Sequence, residues 1–224
     1  MIDSNKYIIR PATVKDIDFL VETVIQAEKS STGQCGLANY FDITEAELRE
    51  YLTQIFEEEV DGCELSLSSF IVVEYEDKVV AAMGGWLEGD NEDEMPSALL
   101  KSNILMYVLP KDKILKSQEN VAITKDLSIE REWGTYQGEY SYVVPVHQGQ
   151  FLVQDLLQAH IDRAKSLGSK VKKMQVHVFE SNKVIIMINR MMGFKIVNSF
   201  TSEEPRIKEF FPYNTILLME RNIN

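Results

Sequence analysis

The sequence predicts an α/β protein with a mixed central β-sheet flanked by helices and a helical insert between the third and fourth strands. Two observations carry the prediction. β-prone runs and runs of helical periodicity alternate in the order β, α, α, β, β, insert, β, α, β, α, β, β. The 224 residues contain no repeat, no low-complexity tract and no Pro/Gly linker, and 45% are hydrophobic, enough for a substantial core, so the chain reads as one domain over 1–224 with the insert at about 90–135.

The elements follow in order. Tyr7 to Arg10 is β-prone, and Pro11 ends the run. Thr13 caps a helix over 14–30, with Asp16 in its first turn and Ile17, Leu20, Val21, Val24 and Ile25 at helical spacing. "STGQCGLANYFD" (31–42) reads as a loop. Thr44 and Glu47 form a capping-box pattern ahead of Leu48, Tyr51, Leu52 and Ile55. "SFIVVEYEDKVVAAMGGWLEG" reads as two strands turning at Glu76-Asp77-Lys78, and "DNEDEM" (90–95) as a polar break. Residues 97–120 read as two helical pieces parted by Pro110, while 121–138 carry no clear pattern. A strand over 139–144 runs through a proline and a short glycine turn into a helix ending at Leu167-Gly168. "KKMQVHVFE" is a strand, "SNKVIIMINRMMGF" a helix stopped by Gly193, and "FKIVNSF" and "NTILLMER" are the closing strands.

Composition excludes several function classes. The formal net charge of −12 argues against a nucleic-acid partner, which requires a basic face. An acidic surface suits solubility and also a cationic substrate such as an amine. The two cysteines, Cys35 and Cys63, lack metal-ligand spacing, so no metal is expected and a reduced, cytoplasmic setting fits. No stretch approaches the roughly 20 apolar residues of a membrane span, and "MIDSNKYIIR" has no signal-peptide character.

The strand–turn–helix at 141–168 is the segment with most chemistry. The first amides of a helix have no intrahelical partner and sit at the positive end of the dipole, so such a turn can hold a phosphate. Gly149 lets the backbone turn and approach closely. The amides from Gln148 through Gln150, Phe151, Leu152 and Val153 are the candidate donors.

Three stretches together resemble the GNAT superfamily of acyl-CoA-dependent N-acyltransferases, over nearly the whole chain apart from the insert. "YIIRPATVKDIDFL" is similar to its opening strand and helix. "VVPVHQGQFLVQDLL" is similar to its cofactor loop, with Val143, Pro145, Gln148 and Gly149 in register. "NKVIIMINRMMGF" is similar to its later helix, with Asn182, Gly193 and Phe194 matching. Phe151 and Val153 stand where the loop has glycine or alanine, and Asn189 stands where the family often has a tyrosine that protonates the leaving thiolate.

The resemblance implies a GNAT-like sheet and acetyl-CoA as co-substrate. It also implies a primary amine of a small molecule or peptide as acceptor. The pantetheine arm would pair with the backbone of Ser141, Tyr142, Val143 and Val144, the pyrophosphate would sit on the turn, and Asn182 would reach the cofactor. Asn189 would occupy the acid position, although an amide has no useful proton to give. Glu139, at the start of the strand, is the nearest candidate for the base that deprotonates the amine, and Glu132 is a second. His147, in the turn, is within reach of a phosphate. His177 reads as a structural histidine in a strand, and His160 as a surface residue. The runs "EEEVDGCE" and "EGDNEDE" read as solvated faces or loops or as the border of a cationic acceptor's site, and Tyr40 and Phe41 as either a substrate cover or core aromatics. A catalytically silent CoA-binding module and a protein that binds no nucleotide are the alternatives. Oligomeric state, including a homodimer, stays open.

Overall fold

A computed structural model describes residues 7–58, 60–89 and 94–223. The chain order is β1 (Tyr7–Pro11), α1 (Ile17–Lys29), α2 (Gly36–Phe41), α3 (Glu45–Glu57), β2 (Phe70–Tyr75), β3 (Lys78–Glu88), α4 (Ser97–Val108), α5 (Lys111–Ser117), α6 (Val121–Thr124), β4 (Thr135–Val143), α7 (Leu152–Ser166), β5 (Lys173–Phe179), α8 (Lys183–Met191), β6 (Lys195–Thr201) and β7 (Thr215–Asn222). The seven strands form one sheet in the order β1-β2-β3-β4-β5-β7-β6. Every pairing is antiparallel except β4 with β5. A parallel neighbour requires a crossover, and α7 supplies it.

Local signals account for the frame. Glu76 and Asp77 both adopt left-handed φ, 50° and 62°, the turn that suits the twist of a two-residue hairpin. The capping box forms, with the Glu47 amide 3.2 Å from Thr44 Oγ1 and the Thr44 amide 2.7 Å from Glu47 Oε2. At the head of α1 the cap is inverted. Thr13 donates its amide and hydroxyl to Asp16, which Arg10 also grips at 2.7 Å.

The sheet separates two apolar layers. One holds Leu20, Val24, Leu48, Leu52, Phe56 and Phe70 under α1, α3 and α4. The other holds Tyr136, Leu156, Leu157, Ile161, Met174 and Met219 under α7 and α8.

Four expectations change. Residues 36–41 of the expected loop are helical. The patternless 121–138 contain α6 and the first residues of β4, which begins at Thr135 rather than 139. His160 is fully buried rather than at the surface: its Nε2–H donates to the Met83 carbonyl at 2.9 Å, and its Nδ1 accepts from Tyr136 OH at 2.9 Å. Gly85 makes room for it, since a Cβ there would lie 2.6 Å from Nδ1. The two acidic runs are not simply solvated, because Glu64 and Glu88 are 1% and 3% exposed. Positions 59 and 90–93, within those runs and the expected polar break, lie outside the described residues.

Candidate active site

β4 and β5 pair only from Tyr136 to Gly138 against Met174 to Val176. β4 then runs on to Val143 beside β3, and β5 to Phe179 beside β7. Past Gly138 the facing edges of the two parallel strands therefore carry no strand pairing, and a gap opens between them. At its start β4 bulges. Met83 pairs with Ser141 and Gly84 with Glu139, which leaves Tyr140 as the extra residue at φ 54°.

The turn closes one end of the gap. A 3-10 turn over Pro145–His147 follows β4, and Gln148 Nε2 holds the Val143 carbonyl at 3.2 Å. Gly149 (φ 79°) and Phe151 (φ 63°) are both left-handed, so Phe151 takes a conformation that favours glycine while its ring stays 67% exposed. The ladder of α7 begins with the Asp155 amide on the Phe151 carbonyl at 3.1 Å, leaving the preceding amides at the helix's positive end. Gln148 and Gly149 are exposed, Ser141, Tyr142, Val144, Gln150 and Val153 half-buried, and Val143 and Leu152 buried. His147 is tied back to the sheet, its Nδ1 2.9 Å from Tyr7 OH and its ring against Tyr75.

On the α1 side of the bulge lies a chain of charges. Arg131 Nη2 reaches Glu139 at 2.6 Å and Glu64 at 3.2 Å, and Lys101 reaches Glu64 at 2.9 Å. The Arg131 guanidinium lies 5.0 Å from the Trp86 ring. Burial acts to raise the Glu64 carboxyl, but Lys101 and Arg131 overcome it and hold it down at about 2. Glu88 is fixed by the Ser97 amide at 2.9 Å, the Ser97 hydroxyl and Trp86 Nε1. From the bulge itself, Tyr140 OH donates to Glu28 Oε1 at 3.0 Å, and the Leu37 amide donates to Glu28 Oε2 at 3.2 Å. Burial raises the Glu28 carboxyl, against the pull of Lys101. It also raises the Tyr140 hydroxyl well above its usual range, so that group stays a donor.

Solved structures share this architecture. An N-acetyltransferase from Staphylococcus aureus Mu50 superposes with TM-score 0.67 at 13% identity, covering 96% of this chain and 100% of that one. A GNAT superfamily phosphinothricin acetyltransferase from Sinorhizobium meliloti, in complex with acetyl-CoA, gives 0.54 at 14% identity over 97% and 88%. A Drosophila melanogaster polyamine N-acetyltransferase, described as forming N-acetylagmatine, gives 0.57 at 13% identity over 96% and 99%. The chain has the GNAT fold. No protein-family model and no curated protein sequence matches it.

Within this GNAT fold the remaining sequence-nominated residues separate. Glu139 stands at the bulge, its carboxylate engaged by Arg131. Glu132 is remote from it, exposed ahead of β4 and paired with Lys173 at 2.5 Å. Asn182 caps α8 through the Ile185 amide at 3.2 Å. Asn189 is 4% exposed, its amide 3.8 Å from Met219 Sδ in the layer between α8 and the sheet. His177 feels Glu139, Arg131 and Glu64 across the gap. Burial lowers its pKa, and its Nε2 has no hydrogen-bond partner among the described residues. Among those residues no three or more His, Cys, Asp or Glu side chains gather to hold a metal ion, and no helix is long and apolar enough to cross a membrane.

Sequence reasoning passed over Glu28, Lys101 and Arg131, and reached Glu64 only as the end of an acidic run. For Glu28 a signal existed. It falls four residues after Val24 and three after Ile25, on the apolar stripe of α1, where an acidic side chain is out of pattern. Glu64 meets Lys101 and Arg131 across 37 and 67 positions, and those pairings leave no local trace.

Proposed function

We propose that this protein is an N-acetyltransferase that moves an acetyl group from acetyl-CoA to a primary amine of a small molecule or peptide by direct attack on the thioester. The observation that carries this reading is the gap past Gly138, open along β4 and closed at one end by the turn into α7. An extended pantetheine arm finds an unpaired strand edge there, as an added strand would. The Gln148 amide, nominated from the sequence, is already bonded to the Pro145 carbonyl at 3.2 Å, so a pyrophosphate finds the amides of residues 149–153 at the positive end of a 15-residue helix. The fold shared with an acetyl-CoA complex and with a polyamine N-acetyltransferase supports both the co-substrate and the amine acceptor.

The chain's own groups then have assignable roles. Ser141 to Val144 align the thioester with the bulge, and an amide of this segment donates to the oxyanion as the amine attacks. An alkyl ammonium with a pKa near ~10.4 must first lose a proton, which requires a carboxylate close to the bulge. A CoA-binding module without turnover is the second reading, favoured by the burial of Asn189 away from solvent at the position of the family's acid.

Incubation with acetyl-CoA, a thiol reagent and a panel of amines tests the proposal. Amine-dependent release of CoA is expected. Tight CoA binding without release from any amine selects the second reading, and no CoA binding refutes both.

A further inference from the structure

Two carboxylates flank the bulge, and they differ in what holds them. Glu139 is engaged by a guanidinium at 2.6 Å on Oε2, a charge-assisted contact that a base would have to give up. Among the described residues no cation contacts Glu28. Its two oxygens accept one neutral donor each, Tyr140 OH and the Leu37 amide. The residue is half-buried rather than sealed in the core, and its hydrogen bond runs directly to the bulged residue of β4.

We infer that Glu28 is the general base of the transfer reaction, acting on the acceptor ammonium at the bulge, an inference that rests on the transferase reading above. Glu28 takes one proton from the ammonium and passes it to solvent. The neutral nitrogen then attacks the thioester carbon of acetyl-CoA. The C–N bond forms, the C–S bond breaks, and the second nitrogen proton leaves with the thiolate as free CoA. The products are the acetylated amine, CoA and one proton. Tyr140 is a positioning residue: its hydroxyl aims the Glu28 carboxylate at the bulge.

The charges around Glu28 suit this role and set its acceptor class. Tyr140 and Glu139 face it from β4, Lys101 from α4, and Cys35 from the α1–α2 connection, with Glu64 and Arg131 beyond Lys101. Glu28, Glu64 and Glu139 oppose Lys101 and Arg131, so three carboxylates meet two cations and one negative charge is left over. This charge balance favours one ammonium and disfavours an acceptor with a carboxylate beside its amine. An alkyl monoamine or one end of a polyamine fits, and an α-amino acid does not. The burial that raises the Glu28 carboxyl brings its basicity closer to neutral pH.

The test is Glu28→Gln, assayed with acetyl-CoA and the best alkylamine from pH 6.5 to 10. At pH 7 kcat is expected to fall by about 100-fold or more, with CoA affinity within about twofold of wild type. The gap between variant and wild type should narrow as pH rises and the free amine supplies itself. An equal loss at every pH would mark Glu28 as structural and overturn the inference, as would a variant within threefold of wild type at pH 7. If the variant fails to fold, carboxyl-selective NMR titration of the wild type decides instead, with Glu28 expected to titrate above the ordinary glutamate value of about 4.3 and a value at or below it refuting the role. Amine-dependent CoA release by wild type with Glu28→Gln unchanged overturns Glu28 alone. No release by wild type with any amine overturns the transferase reading itself.

Discussion

Replacing Gly149 by Asp and, separately, by Asn isolates the charge held at the turn. Gly149 has φ 79°, so either side chain carries the same left-handed strain, and both types tolerate that region better than most. A Cβ there meets nothing within 4 Å, so neither side chain clashes in the free protein. The pair differs by one carboxylate charge. Two unit charges about 5 Å apart interact by roughly 0.8 kcal/mol at the dielectric of water and roughly 3 kcal/mol at an effective value of 20. A pyrophosphate on the neighbouring amides should therefore bind the Asp variant about 1–3 kcal/mol more weakly than the Asn variant, roughly 5- to 150-fold in Kd. Isothermal titration with CoA at low salt measures the difference, and raising ionic strength should shrink it because the turn is exposed. Equal affinity of the Asp and Asn variants, both folded, would refute the placement of an anion at this turn.

Other perturbations test the surrounding framework. Phe151→Gly relieves a bulky residue of left-handed strain at the cost of added freedom in the unfolded chain. The net is a gain of about 0.5–1 kcal/mol in urea denaturation, and a loss above 1 kcal/mol would mean that the ring packs usefully where it is. His160 is fully buried, and burial pulls its pKa from 6.5 to about 4, so the unfolded chain binds the extra proton between those values. Stability from this residue is complete above about pH 6.5 and lost as pH falls towards 4, up to about 3 kcal/mol. Denaturant melts at pH 7.5 and 4.5 should show a drop that is smaller in His160→Gln. Arg131→Met leaves Glu64 with Lys101 alone and should cost about 3 kcal/mol, whereas Arg131→Lys should recover only part of it, because an ammonium can replace Nη2 between Glu64 and Glu139 but cannot also reach the Ser97 hydroxyl as Nη1 does at 3.3 Å. Both are read by melting temperature.

Much of the architecture was legible before any coordinates. The hairpin at Glu76-Asp77, the Thr44–Glu47 cap, the two helical pieces of the insert parted by Pro110 and the strand–turn–helix around Gly149 depend on residues within a few positions of one another. The mixed sheet expected from the order of elements is present, its parallel pair formed by β4 and β5 on either side of the crossover helix. The start of β4 was missed because Thr135 to Gly138 has a glycine and two buried polar residues, Thr135 and Gln137, in place of an apolar alternation. These two bond to Gln175 on the neighbouring strand, at 3.3 and 2.9 Å.

By itself, then, the sequence determined the order of the strands and longer helices, the turn with its left-handed glycine, and the family likeness of the segments around it. Tertiary structure decided which polar residues are functional candidates. Glu28 reaches Tyr140 across 112 positions, Arg131 reaches Glu64 across 67, and His160 reaches Met83 across 77. Backbone conformation answers to near neighbours through sterics and hydrogen-bond spacing, so local patterns encode it. The fate of a buried charge depends on whether chain closure brings a partner to it, and nothing in the flanking residues records where that partner stands.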